Sequence, residues 1–352
     1  MLTKCLKIVK NRFGLLSDGT KVHLYTLSNG KMSVSVCDYG CIITSIVIPD
    51  KKHKRLLDVS LGSSTLDGWV LNHETFGAVV GRFANRIGGA SFTLDGVKYE
   101  LDKNDNKANT LHGGFERWDK KVWKAKRIAN EYGIGVKLTR KSPDGEQGFP
   151  GNAKVSVSYL LNDRNDLTIV YKATSDKATP FNMTNHSYFN LNGHSSGNIT
   201  GHTLQMNCSQ YLEVDKELIP TGKKIDVAGG PFDFRTEKTI GADMSKVGVG
   251  YDHCYCLDGF TGDGSLKTIC VLGSDDGSRR MTVRGTQPGI QLYTGNFLNN
   301  INGKDGAVYQ CHDAVCLETQ DFPDAPNKDS FPQSILRPGN TYRQVTQYSF
   351  MF

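Results

Sequence analysis

Short runs in which apolar and polar residues alternate dominate this chain. Ser33 to Cys37, Ile42 to Ile48, Val155 to Tyr159, Leu167 to Tyr171 and Tyr342 to Thr346 are rich in β-branched and aromatic residues. Gly, Asn and Asp clusters bound them, so each reads as a strand. A period of two sends alternate side chains to opposite faces, one toward a core and one toward solvent. Asp95-Gly96, set between Phe92-Thr93-Leu94 and Val97-Lys98-Tyr99, predicts a two-residue hairpin turn. Asp18-Gly19 and Asn29-Gly30 predict the same. Helical signal is scarce: Ser63 to Trp69 predicts a single turn, and no stretch keeps a 3.6-residue apolar period beyond about ten residues. Alternating βαβ architecture is therefore unexpected, and neither a linker nor a fixed-period repeat interrupts the pattern. The expectation is an all-β protein, a large β-sandwich with very little helix, with residues 1–352 as one domain.

Composition agrees with a folded chain. Of 352 residues, 38% are hydrophobic and 22% charged, unlike a disordered sequence. Gly (38) is abundant while Pro (11) is not, which favours many tight turns over low complexity. The formal net charge is +6, but Lys and Arg are scattered. Their densest run, Lys51-Lys52-His53-Lys54-Arg55, reads as a solvated turn, and no basic stripe accompanies a nucleic-acid motif. Lysines interrupt residues 1 to 10, leaving no apolar signal core, and no run approaches the ~18 apolar residues of a membrane helix. Nine cysteines show no metal-ligand spacing, Cys254 and Cys256 being one residue apart. The expectation is a cytoplasmic protein with reduced thiols. The glycosylation-type triplets at Asn182, Asn185, Asn198 and Asn207 are then accidental.

Five clusters depart from the solvent-face pattern. Gly81 to Ile87 holds Arg82, Asn85 and Arg86. His112 precedes Gly113-Gly114, where backbone could approach a ligand closely. Asn182 to Asn190 gathers amides, His186 and aromatics without a charge. Gly250-Tyr251-Asp252-His253 adds a carboxylate, and Glu318 lies in the apolar run leading to Pro323. Singly, each has a structural explanation. Together they supply what sugar hydroxyls and pyranose faces require: planar donors and acceptors beside aromatic rings. A His with a Glu also offers an acid and a base tunable toward neutrality.

In chain order GRFANRI, TLHGG, NMTNHSYFNLNG, GYDHCY, PGIQLYTGNF and ETQDFPDAPN resemble the aldose 1-epimerases, or galactose mutarotases, over roughly residues 10 to 350. The resemblance implies a β-supersandwich whose open cleft binds free hexoses such as galactose and glucose. It implies His186 as general acid and Glu318 as general base, with Asn85, Arg86, His112, Asp252 and Gln291 binding the sugar. Arg86 is preferred to Arg82 because it follows Asn85 directly, while Phe115 and Trp118 are left unassigned. Asp252 is expected to lie near His186 and raise its pKa. Such chemistry moves protons only, so no cofactor or metal is expected, and no GxGxxG or Walker motif is present. The partner expected is a monosaccharide, with no nucleic acid, membrane or obligate protein. Three alternatives remain: a hexose-6-phosphate epimerase, a glycoside hydrolase using Glu318 with Asp321 or Asp324, and a non-catalytic sugar-binding protein.

Overall fold

The computed structural model describes residues 6–71 and 74–352; Cys5 and the rest of the first half of the amino-terminal stretch considered above lie outside them. Each alternating run forms a strand. Ser33–Cys37 is reproduced residue for residue; three others fall within Ala153–Leu161, Asp166–Ser175 and Tyr342–Met351, and the run from Ile42 forms Ile43–Asp50, one residue later at its start. Asp95 (φ 51°) and Gly96 (φ 80°) form the two-residue turn joining Ser91–Leu94 to Val97–Glu100.

The other two Asp/Asn-Gly pairs behave differently. Residues 16–20 join the first two strands, and residues 29–32 join the second to the third. In each loop Gly19 and Gly30 have positive φ, whereas Asp18 and Asn29 do not. Their side chains are engaged instead: Asp18 Oδ1 accepts from Thr20 N–H, and Asn29 Oδ1 from Lys31 and Met32 N–H. These Asx-type bonds hold a longer loop. The predicted helical turn is present but starts later, at Leu66–Leu71, with Thr65 Oγ1 accepting from Gly68 N–H at its start.

Three antiparallel sheets carry the architecture. Lys7–Leu15, Lys21–Ser28, Ser33–Cys37, Ile43–Asp50 and Arg55–Asp58 form a five-stranded meander. A nine-stranded sheet runs, edge to centre, through Lys124–Asn130, Gly133–Ser142, Ala153–Leu161, Asp166–Ser175 and Tyr342–Met351, continuing into Arg280–Gly285 and Lys267–Gly273. A six-stranded sheet orders Tyr188–Phe189, Val315–Gln320, Gly289–Tyr293, Asp252–Cys256, Gln210–Val214 and Pro220–Asp226.

The inner faces of the two larger sheets share one core. Val136, Leu138, Ile169, Val283 and Tyr348 from one join Ile290, Leu292, Val315 and Leu317 from the other. Polar contacts fix the match: Thr319 Oγ1 and Thr346 Oγ1 are 2.6 Å apart, and Gln344 Nε2 donates to Thr319 O at 2.8 Å. The carboxy-terminal strand thus lies mid-sheet, directly beneath Val315–Gln320.

Leu317 is fully buried at this junction whereas Leu56 is 70% exposed. Leu317→Ala should lower unfolding free energy by about 2–5 kcal/mol in urea titrations, with Leu56→Ala within about 0.5 kcal/mol of wild type. A Leu317 effect as small as that of Leu56 would contradict the face-to-face packing.

Candidate active site

The strands that present Ile290, Leu292 and Leu317 to the core turn their alternate residues outward, and there the site forms. Register sets Cys254, Gln291 and Glu318 in line across three neighbouring strands. The adjacent row is Asp252, Tyr293, Cys316 and Tyr188. His186 ends the short strand Thr184–His186, which pairs with Ala78–Val80 so that His186 lies opposite Ala78. Two residues on, Tyr188 stacks on the imidazole with ring centres 5.0 Å apart and planes 19° from parallel. His186 Nε2 then stands 3.5 Å from Glu318 Oε1. Asn182 and Asn185, two of the glycosylation-type positions, are buried here. Asn182 ties Ala84 to Asp321, and Asn185 Nδ2 donates to Gly77 O.

The facing wall comes from Arg86–Ile87 paired with Thr110–Leu111. Asn85 (φ 63°) and His112 (φ 53°) both adopt left-handed backbone at its ends. Asn85 N–H donates to His112 Nδ1 at 3.2 Å, and His112 N–H returns a bond to Asn85 O. Because Nδ1 accepts, the His112 proton resides on Nε2, making this nitrogen a donor. Asn85 Oδ1 is taken by Arg86 N–H, and Arg86 Nε is anchored on Asp105 Oδ2 at 3.0 Å. Gly113 packs tightly on Gly81, where a Cβ would sit 2.4 Å from Gly81 O, and neither Gly113 nor Gly114 lines the cleft.

All seven residues expected at the site line this one cleft: His186, Glu318, Asn85, Arg86, His112, Asp252 and Gln291. It is an open cleft with a volume of about 180 Å3. Sequence reasoning assigned no role to Glu74, Thr75, Arg117, Tyr188, Tyr293 and Phe297, which also line it. Tyr188 and Tyr293 were within reach, each lying two residues beyond an identified side chain on the same face. Arg117, paired with Asp119, gave no such signal.

Other candidates lie elsewhere. The Arg82 guanidinium is buried and donates to Pro150 O, Gly151 O and Ser142 Oγ, so it is structural and Arg86 is the cleft arginine. Trp118 is a core side chain packed on Trp123, while Phe115 is 68% exposed and outside the cleft. Asp321 accepts from Gln287, and Asp324 from Gly88 N–H with Lys328 beside it. Neither lines the cleft with Glu318.

Burial dominates the electrostatics. It pushes the His186 imidazole down to about 4, and the Arg117 charge acts in the same direction. His112 is also held well below its ordinary value by burial, with His186, Arg117 and Arg86 adding to the effect. Burial raises Glu318 well above the usual carboxyl range, and the Asp252 charge raises it further. Asp252 itself is raised by burial, against the pull of Arg86 and the 2.6 Å bond from Gln291 Nε2. The expectation that Asp252 would keep His186 protonated is thus corrected: its charge is felt at Glu318. Burial therefore favours a neutral imidazole beside a carboxylic acid, one proton on the pair.

His186, Cys316 and Glu318 also bring one nitrogen, sulfur and oxygen within 4.8 Å of one another. Burial, reinforced by Glu318 and Asp252, holds the Cys316 thiol well above its ordinary pKa. A thiol so strongly disposed to keep its proton is a poor metal donor. The eight described cysteines are all free, and of these only Cys311 is exposed.

The aldose 1-epimerase family profile matches residues 23–349. The chain is 42% identical over 349 residues to the galactose mutarotase of Mus musculus, covering 98% of this chain and 99% of that one. It is 38% identical over 346 residues to the aldose 1-epimerase of Escherichia coli K12, covering 96% and 97%. Among solved structures, galactose 1-epimerase from Lactobacillus acidophilus superposes with a TM-score of 0.84 at 28% identity, covering 98% of each chain. An aldose epimerase homologue from C. elegans gives 0.83 at 29%, with the same coverage.

Imidazole is charged below its pKa, so a depressed value keeps His186 neutral at pH 7 and delays its protonation on acidification. In NMR titration the His186 ring signals should hold their neutral shifts from pH 7 to 5 and move near pH 4, against the ~6.5 of free imidazole. A midpoint near 6.5 would show that the ring is solvated.

Proposed function

The chain belongs to the aldose 1-epimerase family and is an isomerase, and from that premise we propose the division of labour within its cleft. The substrates are free hexoses, galactose and glucose, whose α and β anomers it interconverts. The observation that carries this reading is the 3.5 Å approach of His186 Nε2 to Glu318 Oε1 within a cleft of hydroxyl-binding groups. Glu318 takes the proton from the C1 hydroxyl, and His186 delivers one to the ring oxygen. The C1–O5 bond breaks, the aldehyde forms, and rotation about C1–C2 presents its other face. Reclosure reverses both transfers, so the pair regains its starting state.

The electrostatics set a condition on this sequence. Burial favours neutral His186 beside protonated Glu318, so the single proton of the pair must pass from Glu318 to His186 before ring opening. Once the ring is open, Glu318 again holds the proton and His186 is neutral, so burial favours the pair as it stands beside the opened sugar. His112 Nε2–H, the Asn85 amide, Arg86, Asp252 and Gln291 hold the hydroxyls, and Tyr188, Tyr293 and Phe297 offer aromatic surface to the ring. Gln291 Oε1 has no partner, leaving an acceptor for a substrate hydroxyl. Both arginines of the cleft are paired with Asp105 and Asp119, which favours a free sugar over its 6-phosphate. The hydrolase pairing of Glu318 with Asp321 or Asp324 has no support, because neither aspartate lines the cleft.

The chain acts as one unit across residues 1–352. Its free, mostly buried thiols support a cytoplasmic setting. No described helix is long and apolar enough to cross a membrane.

His186→Ala and Glu318→Gln should each lower mutarotation of fresh α-galactose about 10²–10⁴-fold with circular dichroism unchanged. Near wild-type turnover in either folded variant would refute the assignment. Gln291→Ala should raise KM with little change in kcat, because contacts away from C1 and O5 hold substrate and transition state alike. In Asp252→Asn the charge that raises Glu318 is gone. Glu318 should then ionise at lower pH, and the alkaline limb of the kcat/KM profile should move to lower pH. A limb that stayed in place or moved upward would exclude that coupling.

A further inference from the structure

Lysines that look scattered along the chain are brought together on the outer face of the nine-stranded sheet. Thr139 lies opposite Lys124 on one neighbouring strand and opposite Ser156 on the other. Ser156 in turn lies opposite Lys172. Lys137 and Lys141 flank Thr139 along its own strand, and Lys154 flanks Ser156. Two hydroxyls are thus ringed by five lysines. Like charges oppose each other directly at Lys141 and Lys154, at Lys126 and Lys137, and at Lys172 and Arg343. Such pairs destabilise a sheet unless something compensates them.

Compensation is absent from the protein itself. None of the five ringing lysines makes an ion pair among the described residues. The one carboxylate facing outward on these strands, Asp166, is bound by Asn162 and Ser349 at the far end. With Lys126 and Arg343 the patch carries seven positive charges, one more than the whole chain's net +6, leaving the rest of the molecule near neutral. The face is hollowed: Lys124, Lys137, Lys141 and Lys154, together with Lys121, which is paired with Glu116, line a concavity of about 760 Å3 that also exposes Thr139 and Ser156. It lies on the opposite side of the shared core from the cleft.

We propose that this hollow binds a compact polyphosphate, with the lysine ammonium groups around the phosphate oxygens and Ser156 and Thr139 supplying hydroxyl contacts. Lysines act as mobile point charges and suit phosphate clusters of varied geometry. A bounded hollow fits a short phosphate chain better than a long duplex. The larger apolar side chains of this face, Leu160, Val170 and Val345, are buried together with Tyr132 packed against them, its hydroxyl taken by Arg343, and no aromatic residue among those described lines the hollow itself.

The test is calorimetric titration of the full-length protein at low salt with inorganic tripolyphosphate and, separately, with a nucleoside triphosphate. We expect one site per chain, a rise in Tm with tripolyphosphate, and at least tenfold weaker binding in Lys137→Gln/Lys154→Gln. That variant should keep its mutarotase rate. Lys31→Gln/Lys216→Gln, with the same change in net charge outside the patch, should bind within twofold of wild type. Equal affinity for both ligands identifies the phosphate chain as what is recognised. Tighter nucleoside triphosphate binding adds a nucleoside contact to it. Should the double variant fail to fold, Lys154→Gln alone should show at least threefold weakening. The proposal falls if neither ligand binds, if the control pair loses as much affinity as the patch variant, or if a short DNA duplex binds the patch more tightly than tripolyphosphate.

Discussion

Side-chain alternation along three adjacent strands is the constraint on which the molecule depends. In Val315–Gln320, Leu317 and Thr319 face the shared core while Glu318 faces the cleft and Cys316 packs in a second apolar cluster beside Tyr188 and Tyr293. In Gly289–Tyr293, Ile290 and Leu292 point inward while Gln291 and Tyr293 point outward. A register slip of one residue would bury Glu318 against Tyr348 and push Leu317 into the cleft. Packing and chemistry are therefore fixed by one choice. The Thr319–Thr346 contact and the Gln344 bond to Thr319 hold that choice from beneath.

The same burial that stabilises the sandwich sets the proton chemistry. Glu318 and His186 are 2% and 6% exposed, and each is driven toward its neutral form. Two ionised groups this close would be costly to desolvate, whereas one shared proton leaves the pair neutral. Asp252 strengthens the arrangement by making Glu318 hold its proton more firmly. Arg86 and Gln291 keep Asp252 itself from rising further. The cleft is thus a chain of buried groups in which each partner shifts the next, and two of its links run through Asp252 and Gln291, the residues proposed to hold the sugar.

Much of this was legible in the sequence, because the signals were local. A period of two located the strands, and Asp95-Gly96 gave its turn since both residues could take positive φ. The seven site residues followed from a resemblance in six short motifs. What escaped depended on contacts distant in sequence. Asp18 and Asn29 gave longer loops because their side chains captured backbone N–H groups instead of entering the left-handed region. The role of Arg82 was set by carbonyls some sixty residues away, and Asp252 found Glu318 across two strand pairings. The lysine patch is the extreme case: its members span Lys124 to Lys172, and only the cross-strand register of four strands shows that they surround Thr139 and Ser156.

The pattern of satisfied and orphaned polar atoms separates what the protein has fixed from what it leaves for substrate. Around the cleft, His112 Nδ1, Asn85 Oδ1, Arg86 Nε and one oxygen of Asp252 are all engaged by protein groups. Each bond fixes a tautomer or an orientation, leaving the remaining donor or acceptor of the side chain toward the cavity. By contrast, Gln291 Oε1 and His186 Nδ1 are buried without partners, an arrangement that is costly in a folded interior. Gln291 can tolerate it because its nitrogen is held by Asp252, which fixes the amide with its oxygen unspent. At His186 a backbone hydrogen bond works against burial, so its charge state is set by two opposed effects. The groups proposed to hold the sugar are rigid because the protein completes their hydrogen bonds, whereas the proposed acid–base pair is set by the balance of burial against nearby charge.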